Sequence, residues 1–310
     1  MRIVLTGGSG DLGTLLIRDL LAQGHMPVNI DVASPKVLGG DFVKGSITDR
    51  EALTNAIAGA DMVVHIAAWH GIHEAQGTKT PDEFHDLNVT GTRNVLEAAA
   101  NEGVKKFVFI SSTSVENKDS IYGQTKILGE DLVHDYAERH DMQAIILRPR
   151  AFIPSWNRSV YKNFSEWGNW FMRGAVHVKD VEQAVVKSID RLASNNPLEE
   201  NAPALIVDGA YEYTEEDLKN WDKDGPGSTF KKYYSEDYEA AIKAGLNPEK
   251  KPKILDISKT REIIGYEPKY SLKSLLGELR QYGKEGPPVP YERNIHLQGE
   301  LDRSARLKER

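Results

Sequence analysis

Short apolar runs alternate with amphipathic stretches through the first half of the chain. Ile3–Thr6, Val28–Asp31, Met62–Ala67, Phe107–Ser111 and Ala144–Arg148 read as strands, with a weaker one over Asp41–Lys44. Thr14–Gln23, Arg50–Ala58, Pro81–Glu102 and Ile121–Arg139 carry the apolar spacing of helices. Strands that alternate with helices build a parallel sheet covered on both faces, because each crossover must return over the sheet. Val178–Leu192 and Ala204–Val207 repeat the pattern and are expected to return to that sheet.

Between these stretches the text changes. Ile153–Arg173 carries three Trp, two Phe and Tyr161 without clean periodicity, and Asn220–Tyr238 reads as a charged loop. Short helices are expected around Glu239–Ala244 and Ile257–Ile264, the latter ending at Gly265. The division expected is a main domain of residues 1–152 with 176–208 returning to it. Residues 153–175 and 209–282 would form a substrate lobe, and 283–310 a tail peripheral to the chemistry.

The first strand runs directly into Gly7, Gly10 and Gly13 and then into a helix. In such a turn Gly7 permits the reversal, Gly10 lets backbone approach a pyrophosphate, Gly13 lets helix and strand pack, and the helix N-terminus faces phosphate charge. The second strand ends in Asp31, about twenty residues on, where a carboxylate can accept hydrogen bonds from the adenosine ribose hydroxyls. Lys36 is the nearest base, so nothing adjoins Asp31 to hold a 2′-phosphate, and NAD is expected rather than NADP. The fold class is therefore α/β, a Rossmann-type doubly wound parallel sheet with a small C-terminal substrate lobe. Ligands of such a sheet lie at the carboxyl ends of its strands.

Composition narrows the field. Lys plus Arg total 39 against 46 acids, a net charge of −7, so there is no basic field to attract a nucleic acid. The absence of cysteine excludes disulfides, thiolate nucleophiles and Cys-ligated metal. Neither a signal peptide nor an apolar run of about 18 residues is visible, so no membrane partner and a cytoplasmic location are expected.

The chemistry centres on Tyr122-Gly-Gln-Thr-Lys126, preceded by Ser111-Ser112-Thr113-Ser114 at a strand end. Residues four apart share a helix face, so the Lys126 ammonium can lie near the Tyr122 phenol and favour its ionised form. A serine would hold the substrate oxygen while Tyr122 takes the hydroxyl proton as hydride leaves.

Together these segments resemble the extended short-chain dehydrogenase/reductase family, the NAD-dependent epimerase/dehydratase group. The resemblance is carried by Thr6–Gly13, His65-Ile-Ala-Ala68, Asn88–Ala99, Phe107–Ser112, Tyr122-x-x-x-Lys126, Leu147-Arg-Pro149, His177–Val181 and Leu255–Pro268. It implies Gly7, Gly10, Asp11, Leu12 and Gly13 as the pyrophosphate turn, Asp31 at the ribose, and Ser46 and Ile47 at adenine. Ser46 departs from the usual acid at that place. Ala67 and Ala68 would lie against the cofactor and Pro149 would border the nicotinamide. Ser112, Tyr122 and Lys126 would be the catalytic set, with Lys126 also steadying the nicotinamide ribose. The helices Pro81–Glu102 and Ile121–Arg139 resemble those through which relatives form homodimers.

Two departures bear on the substrate. Relatives carry a longer segment between serine and tyrosine, so the wall it forms must be missing or supplied elsewhere, and Thr113 or Ser114 could replace Ser112. The span from Pro149 to His177 is also short for a nucleotide-sugar. Arg173 resembles a substrate-anion ligand of the family, and Arg150 follows a strand end, where it would bind an anion or form an ion pair. His70, His73 and Glu74 invite a metal, but their spacing is not that of a helical zinc pair, so no metal is expected and the histidines read as substrate hydroxyl contacts. Trp156, Trp167 and Trp170 would stack on a sugar or form the lobe's core. The reading is an NAD-dependent oxidoreductase taking hydride from a carbinol of a small polar substrate such as a sugar, sugar acid or related hydroxy compound. The rivals are a UDP-glucose 4-epimerase-like enzyme with tightly bound NAD and a non-catalytic NAD-binding redox sensor.

Overall fold

The computed structural model describes residues 1–194 and 196–291. Seven strands form one sheet: β1 (Arg2–Thr6), β2 (Met26–Asp31), β3 (Asp41–Lys44), β4 (Met62–His65), β5 (Lys106–Ile110), β6 (Gln143–Pro149) and β7 (Ala204–Val207), in the order β3-β2-β1-β4-β5-β6-β7. Every pairing from β3 through β6 is parallel. Central strands are buried on both faces and so read as continuous apolar runs, whereas the edge strand β3 is mostly exposed, which explains its faint signal. The strand order reverses between β1 and β4, and the crevice beyond their carboxyl ends is where an open sheet binds ligand.

Two compact units divide the chain. The first comprises Met1–Arg148, Val185–Leu205 and the chain from Pro290; the second comprises Pro149–Ala184 and Ile206–Val289. The first unit carries α1 (Asp11–Ala22), α2 (Arg50–Ile57), α3 (Gly71–Ala75), α4 (Pro81–His85), α5 (Gly91–Asn101) and α6 (Ile121–Arg139). Val28, Val63, Phe107 and Ile146 from the strands meet Leu53, Val95, Leu96 and Val133 from the helices in one core. The expected single helix over Pro81–Glu102 is interrupted. After α4, capped by Thr80 with Glu83, a π-helical turn spans Asp86–Thr90 before α5 begins. Such insertions gather at functional sites, and this one holds the buried side chain of Asn88.

The second unit holds α7 (Phe164–Phe171), α9 (Glu215–Lys219), α10 (Trp221–Asp224), α11 (Ser228–Tyr233), α12 (Tyr238–Ala244), α13 (Ser258–Ile264) and α14 (Leu272–Tyr282), while α8 (Val178–Ala193) begins in it and ends in the first. Asn220–Tyr238, expected as a loop, contains the helical turns α10 and α11 and a 3-10 turn over Ser235–Asp237. Trp221 and Phe230 are buried there, and Gly225 and Gly227, both at positive φ, separate α10 from α11. Phe164, Trp167, Phe171, Phe230, Leu275 and Leu276 form this unit's own core. Trp167 stacks on Phe164 and Phe171 and donates its indole N–H to Ile153 O at 2.9 Å, which makes it a core residue rather than a sugar platform. Trp170 packs on Tyr161.

Of the expected tail, Gly283–Val289 belongs to the second unit: Arg158 donates to Glu285 O at 2.7 Å. Pro290 and Tyr291 belong to the first, where Arg18 donates to Pro290 O at 2.7 Å and the Tyr291 hydroxyl donates to Asp11 Oδ1 at 2.8 Å. Residues 292–310 lie outside the described range.

Candidate active site

The glycine turn is built as its spacing requires. Gly7 has φ +73°, and a Cβ there would lie 3.0 Å from Ala67 Cα, while one on Gly13 would lie 2.5 Å from Gly8 Cα. Gly10 caps α1 without a side-chain hydrogen bond, so no side chain at the cap competes for the helix's first amides. Asp31 closes the other side: its carboxylate accepts from Ser9 N and Ala33 N, each at 2.9 Å. Lys36 pairs with Asp11 at 3.0 Å rather than with Asp31. Leu12 is buried in α1. Ser46 accepts from Thr48, and Ile47 is buried with its carbonyl accepting from Asn94 at 3.2 Å. A cradle that a Cβ would fill, amides without a competing cap and a carboxylate at the end of β2 fit an NAD.

His65 fixes the wall on which Ala67 and Ala68 sit. Burial, then the Lys126 charge, push its pKa down to about 3, so the ring is neutral. Thr92 Oγ1 donates to Asn88 O at 2.6 Å and must therefore accept from His65 Nε2 at 2.9 Å, which leaves Nδ1 to accept from Thr6 Oγ1 at 2.6 Å. Thr6 Oγ1 in turn accepts from Ile66 N and Ala67 N. Beyond its place in a motif, no local pattern marks this histidine for a role.

The two serines that follow β5 have different partners. Ser111 donates to the buried Glu130, which also holds the partly exposed Arg148 guanidinium. Ser112 Oγ donates to Ser114 Oγ at 3.1 Å and accepts from Ser114 N at 3.0 Å, and it favours the ionised form of the Tyr122 phenol. Ser120 caps α6, and Lys126, one turn beyond Tyr122, is buried with its ammonium 5.8 Å from the tyrosine ring. The electrostatics differ from the expected pairing. Lys126 donates to Ile110 O at 2.7 Å, and burial, only partly offset by Glu130, brings its pKa down to about 7. Burial pushes the Tyr122 phenol up to about 12 against the opposing influence of Ser112. The phenol is thus held protonated, ready to donate to a carbonyl, and oxidation requires it to ionise.

His70 and His73 lie on the segment after β4, beside this set. His70 N–H donates to His73 Nδ1 at 3.0 Å, and the two rings stack. Desolvation by the surrounding protein, and then the Lys126 and His73 charges, lower the His70 pKa. Among the described residues no group of three or more His, Asp or Glu could hold a metal, and no helix is long and apolar enough to cross a membrane.

Pro149, Arg150 and Arg173 belong to the second unit. Arg150 is buried and pairs with the buried Asp208 at 3.3 Å, with Tyr211 and Lys253 O completing its contacts and Gly174 leaving room for the guanidinium. This is the structural ion pair of the two roles its sequence position allowed. Arg173 is exposed, and Pro149 ends β6. On α6, Val133 is core, Leu132 and Tyr136 pack partly against it, and Leu128 is exposed.

A parallel sheet with a glycine turn at its first strand and a serine, tyrosine and lysine at its fifth defines a nicotinamide-nucleotide enzyme. The chain matches the NAD dependent epimerase/dehydratase family over residues 3–199, and it belongs to that family. Similar curated proteins include a 3β-hydroxysteroid dehydrogenase/Δ5→4-isomerase of Mycobacterium tuberculosis, 34% identical over 44% of this chain and 37% of its own length. They also include an L-arabinose 1-dehydrogenase (NAD(P)+) of Haloferax volcanii, 30% identical over 47% of this chain and 65% of its own. The matches to the first relatives span less than two thirds of those proteins' length. Among solved structures, a UDP-glucuronic acid 4-epimerase from Bacillus cereus aligns with a TM-score of 0.67 at 20% identity, over 91% of this chain and 98% of that one. A short-chain dehydrogenase/reductase superfamily protein from Agrobacterium tumefaciens with bound NAD aligns at 0.66 with 19% identity, over 97% and 100%. These likenesses establish the fold.

Proposed function

We propose that this chain is an NAD-dependent oxidoreductase that interconverts a carbinol and a carbonyl on a small polar substrate, a sugar, sugar acid or related hydroxy compound. The observation that carries the reading is Lys126, buried one turn beyond Tyr122 with its ammonium 5.8 Å from the phenol ring, together with Ser112 in the same unit as the glycine turn and Asp31. Gly7, Gly10, Asp11, Leu12 and Gly13 would hold the pyrophosphate of NAD, Asp31 the adenosine ribose, Ser46 and Ile47 the adenine, Ala67, Ala68 and Pro149 the remaining surface, and Lys126 the nicotinamide ribose. Bound there, NAD supplies the hydride acceptor.

Ser112 orients the substrate oxygen and Tyr122 Oη exchanges the proton with it. With the phenol pushed up to about 12, carbonyl reduction has its proton donor in place at neutral pH, and carbinol oxidation accelerates as pH rises. His70 and His73 offer polar contacts suited to substrate hydroxyls, and Arg173 is the remaining anion candidate because Arg150 is engaged by Asp208. The short span from Pro149 to His177 favours a substrate without a nucleotide. A homodimer through α5 and α6 of a cytoplasmic protein completes the reading, with the exposed Leu128 as its apolar contribution.

A 4-epimerase acting on N-acetyl-α-D-glucosaminyl-diphospho-undecaprenol in Escherichia coli O157:H7 is 30% identical over 56% of each chain, which favours epimerisation as the second reading. Incubation with NAD and a panel of aldoses, uronates, hydroxy acids and UDP-sugars, following NADH absorbance and product stereochemistry, separates the two. Free NADH from a small sugar or acid is expected. Tightly bound NAD with no free NADH and an inverted UDP-sugar would favour the epimerase.

A further inference from the structure

The connection between Ser112 and Tyr122 is short, and a different part of the chain lies against the phenol ring. Gly71 packs so closely on Tyr122 that a Cβ there would stand 3.3 Å from the ring carbon Cδ1. Three residues on, the Glu74 carboxylate receives Ser120 Oγ and Ile121 N, both at 2.7 Å, and Tyr122 N at 3.1 Å. It therefore holds the amides that begin α6, including that of the tyrosine itself. Burial pushes the Glu74 carboxyl up, but these three bonds outweigh it and keep the group ionised at neutral pH.

The segment is tied to α6 a second time. Asn88, held in the π-helical turn, accepts from Trp69 N at 2.7 Å and donates to both Trp69 O and Thr125 Oγ1 at 3.0 Å. Lys79 covers the Trp69 ring at 4.2 Å from its centroid. One clamp thus lies on each side of Gly71, and both reach the helix turn that bears Tyr122 and Lys126.

We propose that Trp69–Gln76 replaces the missing wall over the phenol and that Glu74 is a positioning residue, fixing where Tyr122 presents its hydroxyl. The proposal rests on the proton-transfer role assigned to Tyr122. A carboxylate suits this place because it accepts three donors at once, two of them consecutive amides at a positive helix end. An amide side chain supplies only one acceptor oxygen and turns an N–H toward a donor.

The test is a double-mutant cycle of Glu74→Gln and Tyr122→Phe, run with NAD and the panel member that the wild-type protein oxidises fastest, with NAD affinity read separately by intrinsic fluorescence. Glu74→Gln is expected to lower kcat about ten- to a hundredfold, the penalty of a slightly misplaced reacting group, with KM and the Kd for NAD within about twofold. In the Tyr122→Phe background the same substitution should have no further effect on the residual rate. Gly71→Val, which presses on the ring without touching the carboxylate, should reproduce the kcat loss. Losses that multiply across the cycle, an unchanged kcat in Glu74→Gln, or a Glu74→Gln protein that no longer binds NAD would each overturn the proposal. A fully active Tyr122→Phe enzyme would instead overturn the proton-transfer role on which it rests.

Discussion

Lys126 should be costly to stability in the state that makes it useful to catalysis. Its ammonium is buried, and its pKa falls from 10.5 to about 7 because burial outweighs attraction to Glu130. At ~1.4 kcal/mol per pH unit, holding the proton in the folded chain opposes folding by about 4–5 kcal/mol below pH 7. Between pH 7 and 10.5 the unfolded chain carries this proton and the folded chain does not, so stability rises with pH through that window and levels off above it. Lys126→Met removes the term but strands Ile110 O, at a cost of about 1–3 kcal/mol. The variant should therefore be more stable than wild type by about 1–4 kcal/mol at pH 6–7, and that advantage should shrink by ~1.4 kcal/mol per unit as pH rises. Urea unfolding of both proteins without NAD at a series of pH values reads the difference directly, and turnover of the variant should be lost. A difference that does not change with pH, or a wild type more stable than Lys126→Met at pH 7, would refute the reasoning.

Other perturbations separate binding from framework. Asp31→Ala should raise the Kd for NAD about ten- to a hundredfold, measured by fluorescence titration, because a carboxylate at the ribose contributes charge-assisted bonds of ~1.5–3 kcal/mol; an unchanged Kd would remove Asp31 from the ribose site. Gly13→Ala drives a Cβ into Gly8 backbone at 2.5 Å, so a loss of about 1–3 kcal/mol in thermal or urea unfolding is expected together with loss of NAD binding. Arg150→Ala leaves the Asp208 carboxyl, at 1% side-chain exposure, without its ion-pair partner, and should destabilise by about 3–5 kcal/mol in urea unfolding. A stable Arg150→Ala protein with a raised KM alone would return Arg150 to substrate binding.

The parts of the fold legible in the sequence are those where local chemistry permits few alternatives. Gly7, Gly10 and Gly13 are dictated by backbone geometry, and the central strands by burial on both faces, so both announce themselves in short windows. The edge strand β3, exposed along most of its length, gives a fainter pattern. Charge misled the reading of Asn220–Tyr238, because the solvent faces of its short helical turns outnumber the buried Trp221 and Phe230. Pairings distant in sequence left no local trace: Arg150 finds Asp208, 58 residues on, and Glu74 finds Ser120 across 46. Beside His70 and His73, Glu74 resembled a metal ligand, and only the fold shows its carboxylate turned to the start of α6. The shortened connection before Tyr122 was the one sequence signal that something else had to fill that place.

The most direct measurement is the rate of NADH formation by Tyr122→Phe on the best substrate of the panel, alongside its affinity for NAD. The phenol ring and its packing survive the change, so NAD binding should stay within about twofold while turnover falls by two to four orders of magnitude, the usual worth of a positioned proton-transfer group. Turnover close to that of the wild type would contradict the account.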